Sequence, residues 1–106
     1  MAKREKVIHT EGSAFHALGL ADADDLLLRA DLMLRILDII AARRLSQVEA
    51  GRLMGMDQPR VSALKNGKIT KFSTDRLLKA LSDLGQDVEV GVKPSRAKKG
   101  KLRLAA

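Results

Sequence analysis

Two long hydrogen-bonding side chains, Gln58 and Arg60, stand on either side of Pro59 at the start of a short helical pattern. A glutamine amide can pair bidentately with adenine, and a guanidinium with guanine. If Val61 and Leu64 turn toward a core, a rotation of ~100° per residue places Pro59, Ser62, Ala63 and Asn66 on the outward side. Gln58 and Arg60 flank that side in the first turn, and Lys65 flanks it further on. Small Ser62 and Ala63 let such a helix sink into a major groove, and Ala63 is placed to touch a thymine methyl. Lys65, Lys68 and Lys71 follow at spacings that suit phosphates. Gln47 opens the preceding helix, where amide groups commonly meet a sugar–phosphate backbone. The bland alternatives are ordinary surface polarity for Gln58 and Arg60, a helix cap for Asn66 and a solvated loop for Lys68 and Lys71.

The elements that position these residues are marked by their caps. Ser46 and Glu49 have the spacing of a capping box, which predicts a short helix over 47–54. Gly55 stops it, because glycine tolerates the left-handed conformation. Asp57 is the next N-cap, with Pro59 in the first turn, and that helix runs to about Asn66 and Gly67. Two short helices joined by about three residues centred on Gly55 have the dimensions of a helix-turn-helix. Upstream, Asp22, Asp24 and Asp25 suit the positive end of a helix. Leu26, Ala30, Met33, Leu37 and Ile40 follow one face of it, and Leu28, Leu32, Ile36 and Ile39 an adjoining one. This helix is either continuous to Arg43 or broken near Ala30, and it is apolar enough to need cover from its own domain on one side and a second subunit on another. Downstream, Ser73 caps a helix whose apolar face is Leu77, Leu78, Leu81 and Leu84, a face for the core or a dimer interface, and Gly85 ends it. Val88, Val90 and Val92 alternate with Glu89 and Gly91, the period of a short strand. Its pairing partner is either the segment around Val7 and Ile8 or a second copy.

Charge is unevenly distributed along the 106 residues, which carry 20 Lys+Arg, 13 Asp+Glu and a net +7. Residues 43–71 carry +5 and residues 93–106 carry +6, while residues 21–42 carry −3 and residues 72–92 carry −2. Such a balance favours an anionic partner. There are 2 Phe and no Tyr, Trp or Cys. Single-stranded nucleic acid is usually gripped by aromatic stacking, so duplex binding fits better. Without cysteine there is no disulfide framework or zinc finger, which fits a reducing compartment. No apolar run approaches the ~20 residues of a membrane span. His9 and His16 lack the spacing of a helical zinc site. The stretch of Gly67, Lys68, Ile69 and Thr70 lacks the glycine spacing of a phosphate loop. No cofactor, metal site or catalytic constellation is expected, and the chain reads as a non-enzyme. The expected organisation is an irregular segment over 1–20, a folded domain over 21–93 and a basic, flexible tail over 94–106. The tail either adds sequence-independent phosphate contacts or is simply solvated.

Residues 45–67 resemble the helix-turn-helix of the Xre/phage-repressor superfamily. Leu45, Ser46 and Gln47, the spaced Ala50, Gly55 at the turn, Gln58 at the start of the second helix, Val61 with Ser62, and the terminal Gly67 match its pattern. Ser46 stands for the usual Thr, which preserves the cap, and Gly51 stands where the family usually has Ala. Pro59 and Ala63 replace polar residues that phage repressors often use, so the operator does not carry over. The likeness extends over about residues 12–93. Ala14, Phe15 and His16 through Leu20, the acidic Asp22, Asp24 and Asp25, then Phe72 and Ser73 and later Leu84, Gly85 and Gln86 resemble a compact subgroup with many HigA-type antitoxins. The resemblance implies an all-α, λ-repressor-like domain of four or five helices with a short C-terminal β-strand. It implies phosphate contact by Gln47, base reading by Gln58 and Arg60, and backbone clamping around Lys68. The function implied is a cytoplasmic, nucleoid-associated transcriptional regulator of double-stranded DNA, a homodimeric repressor on a palindromic site. The alternative is an antitoxin that neutralises a RelE/HigB-like ribonuclease and represses its own operon. The acidic helix and the strand near Val90 are then partner surfaces.

Overall fold

The computed structural model describes residues 22–105. The expectations for residues 1–20, including Val7, Ile8, His9 and His16, lie outside the described residues. Helix α1 spans Asp22–Ala42, α2 Gln47–Met54, α3 Gln58–Lys65 and α4 Thr74–Asp83, with a 3-10 turn at Ile69–Lys71. α1 is continuous through Ala30. It packs mainly on α4 and the 3-10 turn, while α2 packs on α3 and α4.

The core explains these packings residue by residue. Leu28, Leu32, Met33 and Ile36 of α1 are buried, so of its two apolar faces the one through Leu28, Leu32 and Ile36 lies inward. They meet Ala50 and Met54 of α2, Val61 and Leu64 of α3, Phe72, and Leu77, Ala80, Leu81 and Leu84 at α4. The α4 leucines are therefore committed to the domain's own core. Burying one large aliphatic side chain contributes about 1.5–3 kcal/mol, so this cluster is the main source of stability. Leu27 and Leu34, seven residues apart on α1, remain largely exposed.

The expected caps form. Ser46 Oγ accepts from the Glu49 amide at 3.1 Å, and Glu49 Oε1 accepts from the Ser46 amide at 2.8 Å. Asp57 Oδ1 accepts from the Arg60 amide at 3.0 Å and Ser73 Oγ from the Arg76 amide at 3.2 Å. Gly55 takes φ +65°, the left-handed value that ends α2.

Gly51 has a different reason from the one its propensity suggests. A Cβ there would lie 2.7 Å from the Met56 carbonyl oxygen and 3.0 Å from Val61 Cγ2. The Met56 amide also donates to the Gly51 carbonyl at 2.8 Å, which draws the turn against α2. The usual Ala has no room in this turn. Gly51→Ala should gain up to ~1 kcal/mol of helix propensity and lose ~1–3 kcal/mol through overpacking. A net destabilisation of about 1 kcal/mol is expected from these two effects, read as a lower urea midpoint. A raised midpoint would contradict the steric account.

Among the described residues there is no strand. Residues 88–92 are irregular, with Gly91 in a lone bridge. The first pairing partner expected for them, Val7 and Ile8, lies outside the described residues, and a second copy is the other. Beyond residue 93, Leu102 and Leu104 are half-buried against the core, and Arg35 Nη2 donates to the Ala105 carbonyl at 3.3 Å. Among the described residues no helix is long and apolar enough to cross a membrane.

Candidate nucleic-acid interface

The site is assembled where α2 and α3 begin. Gln47 and Gln58 are each near the N-terminus of a helix, and Gln58 Nε2 donates to Gln47 Oε1 at 3.1 Å. The bond uses one amide hydrogen of Gln58. Its carbonyl oxygen and second N–H remain, the acceptor–donor pair that an adenine edge requires. Gln47 accepts through its oxygen and keeps both of its own amide hydrogens. The two glutamines, given separate roles from the sequence, are one hydrogen-bonded unit that fixes the orientation of the Gln58 side chain.

Gln58, Pro59 and Arg60 are exposed, as are Lys65, Asn66, Lys68 and Lys71. Ser62 is half-buried. Ala63 is half-buried too and packs against the core, so the outward face centres on Pro59, Ser62 and Asn66 rather than extending fully over Ala63. Asn66 does not cap α3 with its side chain. The Lys68 amide donates to the Ala63 carbonyl at 3.0 Å and the Gly67 amide to the Leu64 carbonyl at 3.1 Å, the pattern of a Schellman ending. The Asn66 amide side chain turns instead to Ser62 Oγ at 3.5 Å.

Local electrostatics follow from how the acids are used. Glu49 and Asp57 are the only acids in residues 43–71, and both accept from backbone amides at helix starts. Arg60, Lys65, Lys68 and Lys71 have no carboxylate partner among the described residues. The helix starts are thus already met by carboxylates, and the positive charge of this region comes from Arg60 at the start of α3 and Lys65, Lys68 and Lys71 at and beyond its end, which suits phosphates.

Hydrogen bonding to the Ser46 amide, then to its hydroxyl, holds the Glu49 carboxyl below the usual glutamate range, against a smaller opposing effect of desolvation and with help from Arg52. A lowered folded value means that the unfolded chain binds the proton more readily. The resulting stability is complete above the ordinary glutamate value and is lost as pH falls through the lowered one. Thermal melts between about pH 6 and about pH 3 should therefore show a smaller drop for Glu49→Gln than for the parent. Parallel curves would remove this role.

Three arginines that sequence reading counted only as charge are structural. Arg76 Nη2 donates to the Met54 carbonyl at 2.7 Å, tying the C-terminal end of α2 to α4. Arg43 Nη1 donates to the Leu84 carbonyl at 2.9 Å. Arg29 Nη1 donates to the Phe72 carbonyl at 3.3 Å. Each meets a main-chain oxygen that sequence periodicity does not reveal. Arg29 and Arg76 are half-buried on helices, whereas Arg43 lies in the exposed turn after α1, so no common pattern in the sequence marks the three.

Residues 14–93 match a family model described as a helix-turn-helix domain. A solved structure bearing the name of an XRE-family transcriptional regulator superposes with a TM-score of 0.72 at 34% identity, over 81% of this chain and 97% of the other. The chain belongs to this helix-turn-helix family of XRE-type regulators. It is a DNA-binding transcriptional regulator. No curated protein matches it.

Proposed function

We propose that the protein is a repressor that binds a palindromic operator as a homodimer, with Gln58 and Arg60 reading bases and Gln47, Lys68 and Lys71 engaging phosphates. The observation that carries this reading is the Gln47–Gln58 hydrogen bond at the start of a helix whose exposed Arg60, Lys65 and following Lys68 and Lys71 have no carboxylate partner among the described residues. It pre-orients a base-reading amide where a helix N-terminus meets the groove. The exposed Leu27 and Leu34 supply an apolar stripe for a second copy. Two α3 helices would then enter major grooves ~34 Å apart or a multiple of that. The protein would act in the cytoplasm, on the nucleoid. Ser62, Ala63, Lys65 and Asn66 line the approach.

The test is a mobility-shift series on promoter fragments from the source genome, with analytical ultracentrifugation of the complex. A specific complex with two chains per site supports the reading. Equal affinity for all duplexes at moderate salt overturns it. Lys68→Ala should weaken every duplex alike and reduce the slope of log K against log salt by about 0.9. A change confined to the operator would instead make Lys68 a base reader.

A second reading, an antitoxin paired with a RelE/HigB-like ribonuclease, is favoured by the exposed Asp31 and Asp38 on the helix that carries Leu34. An acidic, partly apolar helix suits a basic partner. The irregular residues 88–92 fit β-augmentation. Co-purification with the neighbouring gene product and growth rescue test it. A neighbouring gene that encodes no small basic protein removes it.

A further inference from the structure

We propose that residues 93–103 form an anchored basic loop that makes a second, sequence-independent contact with the DNA backbone, separate from the helix-turn-helix. The inference rests on the DNA-binding reading above and adds a site to it. Lys93, Arg96, Lys98, Lys99, Lys101 and Arg103 carry six positive charges with no acid among them. All six residues are exposed, and none has a carboxylate partner among the described residues. They leave Asp31 and Asp38 of the same domain unused.

The loop is held rather than free. Leu102 and Leu104 pack against the core on either side of outward-facing Arg103, and Arg35 holds the Ala105 carbonyl. Its base is closed: Ser95 Cβ lies 3.7 Å from the place a Gly100 Cβ would occupy, and the Ala97 amide donates to Ser95 Oγ at 3.1 Å. Arg96, Lys98 and Lys99 therefore sit at the tip. Gathering like charges in a fixed loop raises self-repulsion, which a polyanion relieves. Partial ordering also lowers the entropy lost on binding.

Arg43, four residues before Gln47, holds the Leu84 carbonyl, at the end of α4 from which the chain runs on toward Lys93. Arg35, which holds the far end, is about 10 Å along α1 from Ala42.

The test compares the intact chain with a variant in which all six cations are replaced by glutamine, and with a chain truncated after Lys93. Binding to an operator fragment and to an unrelated duplex of equal length is measured across salt. If two to four of the cations meet phosphates, the slope of log K against log salt should fall by about 2–4 for both duplexes, at about 0.9 per phosphate, with their affinity ratio unchanged. Circular dichroism confirms that each variant is folded, and the glutamine variant keeps Leu102 and Leu104 should truncation prevent folding. An unchanged slope with intact operator binding overturns this inference alone. Absence of duplex binding by the intact chain overturns the DNA reading and this inference with it. A fall confined to the operator would make the loop a sequence reader and overturn the proposal as stated.

Discussion

Replacing Gln58 and Arg60 together by alanine should reduce operator affinity to the level of unrelated duplex while leaving the fold intact. Each bidentate base contact is worth about 1–3 kcal/mol of discrimination. Two such contacts correspond to roughly 30-fold to more than 10⁴-fold in affinity ratio. The fold should survive because both side chains are exposed. The bond between Asp57 and the amide of residue 60 is made by main chain and persists in alanine. The side-chain bond lost within the domain is Gln58 to Gln47. That bond makes the effects of the two glutamines interdependent, so Gln47→Ala and Gln58→Ala should combine with less than the sum of their separate effects. The cations that remain preserve non-specific binding, including its salt dependence. Mobility shifts on operator and scrambled duplexes measure the ratio. Retained preference for the operator in the double variant would remove these side chains from the reading face.

Much of this arrangement is legible in the residues. Helix starts are local events: Ser46 with Glu49, Asp57 and Ser73 each bind an amide three residues away, so their spacing alone marks where α2, α3 and α4 begin. The division of α3 into Val61 and Leu64 inward and Gln58 and Arg60 outward follows from helical period. What stayed hidden depends on parts of the chain far apart in sequence. Gln47 reaches Gln58 only because the turn at Gly55 returns α3 across α2, and the tightness of that return appears in the missing space at Gly51. Composition suggests a free basic tail after Pro94, and two leucines among cations are too weak a pattern to reveal docking on a core built from other helices. The core face of α1 was also ambiguous, because both apolar faces satisfy the same period and only the location of α4 selects one.

Asp25 shows the same limit with a larger energetic consequence. As one of three acids at the start of α1 it suits that helix's own dipole. It is 6% exposed, however, and its Oδ1 accepts from Thr74 Oγ1, at the first residue of α4, at 3.2 Å. Its Oδ2 pairs with Arg29 Nη2, and Arg29 in turn reaches the Phe72 carbonyl. Asp25 thus links α1 to the start of α4 and, through Arg29, to the segment just after the 3-10 turn that includes Lys71. Asp25→Ala would leave the guanidinium largely buried without its carboxylate, when Arg29 Nε already has no hydrogen-bond partner among the described residues. Removing one member of a buried pair costs about 3–5 kcal/mol, and the 17% exposure of the Arg29 side chain places the expected loss near the lower end. For a domain of this size about 3 kcal/mol corresponds to a fall in Tm of at least ~12 °C. Asp25→Asn retains an acceptor for Thr74 and should lose less. Replacing Asp25 and Arg29 together by leucine should be milder than Asp25→Ala, because no unpaired charge is left inside. DNA affinity should fall with Asp25→Ala even where the domain stays folded, since Arg29, no longer held by its carboxylate, tethers the Phe72 carbonyl less firmly and the adjoining Lys71 shifts with it. A loss below ~0.5 kcal/mol in Asp25→Ala, within the range of ordinary surface substitutions, would mean that water compensates Arg29 and that packing alone joins α1 to α4.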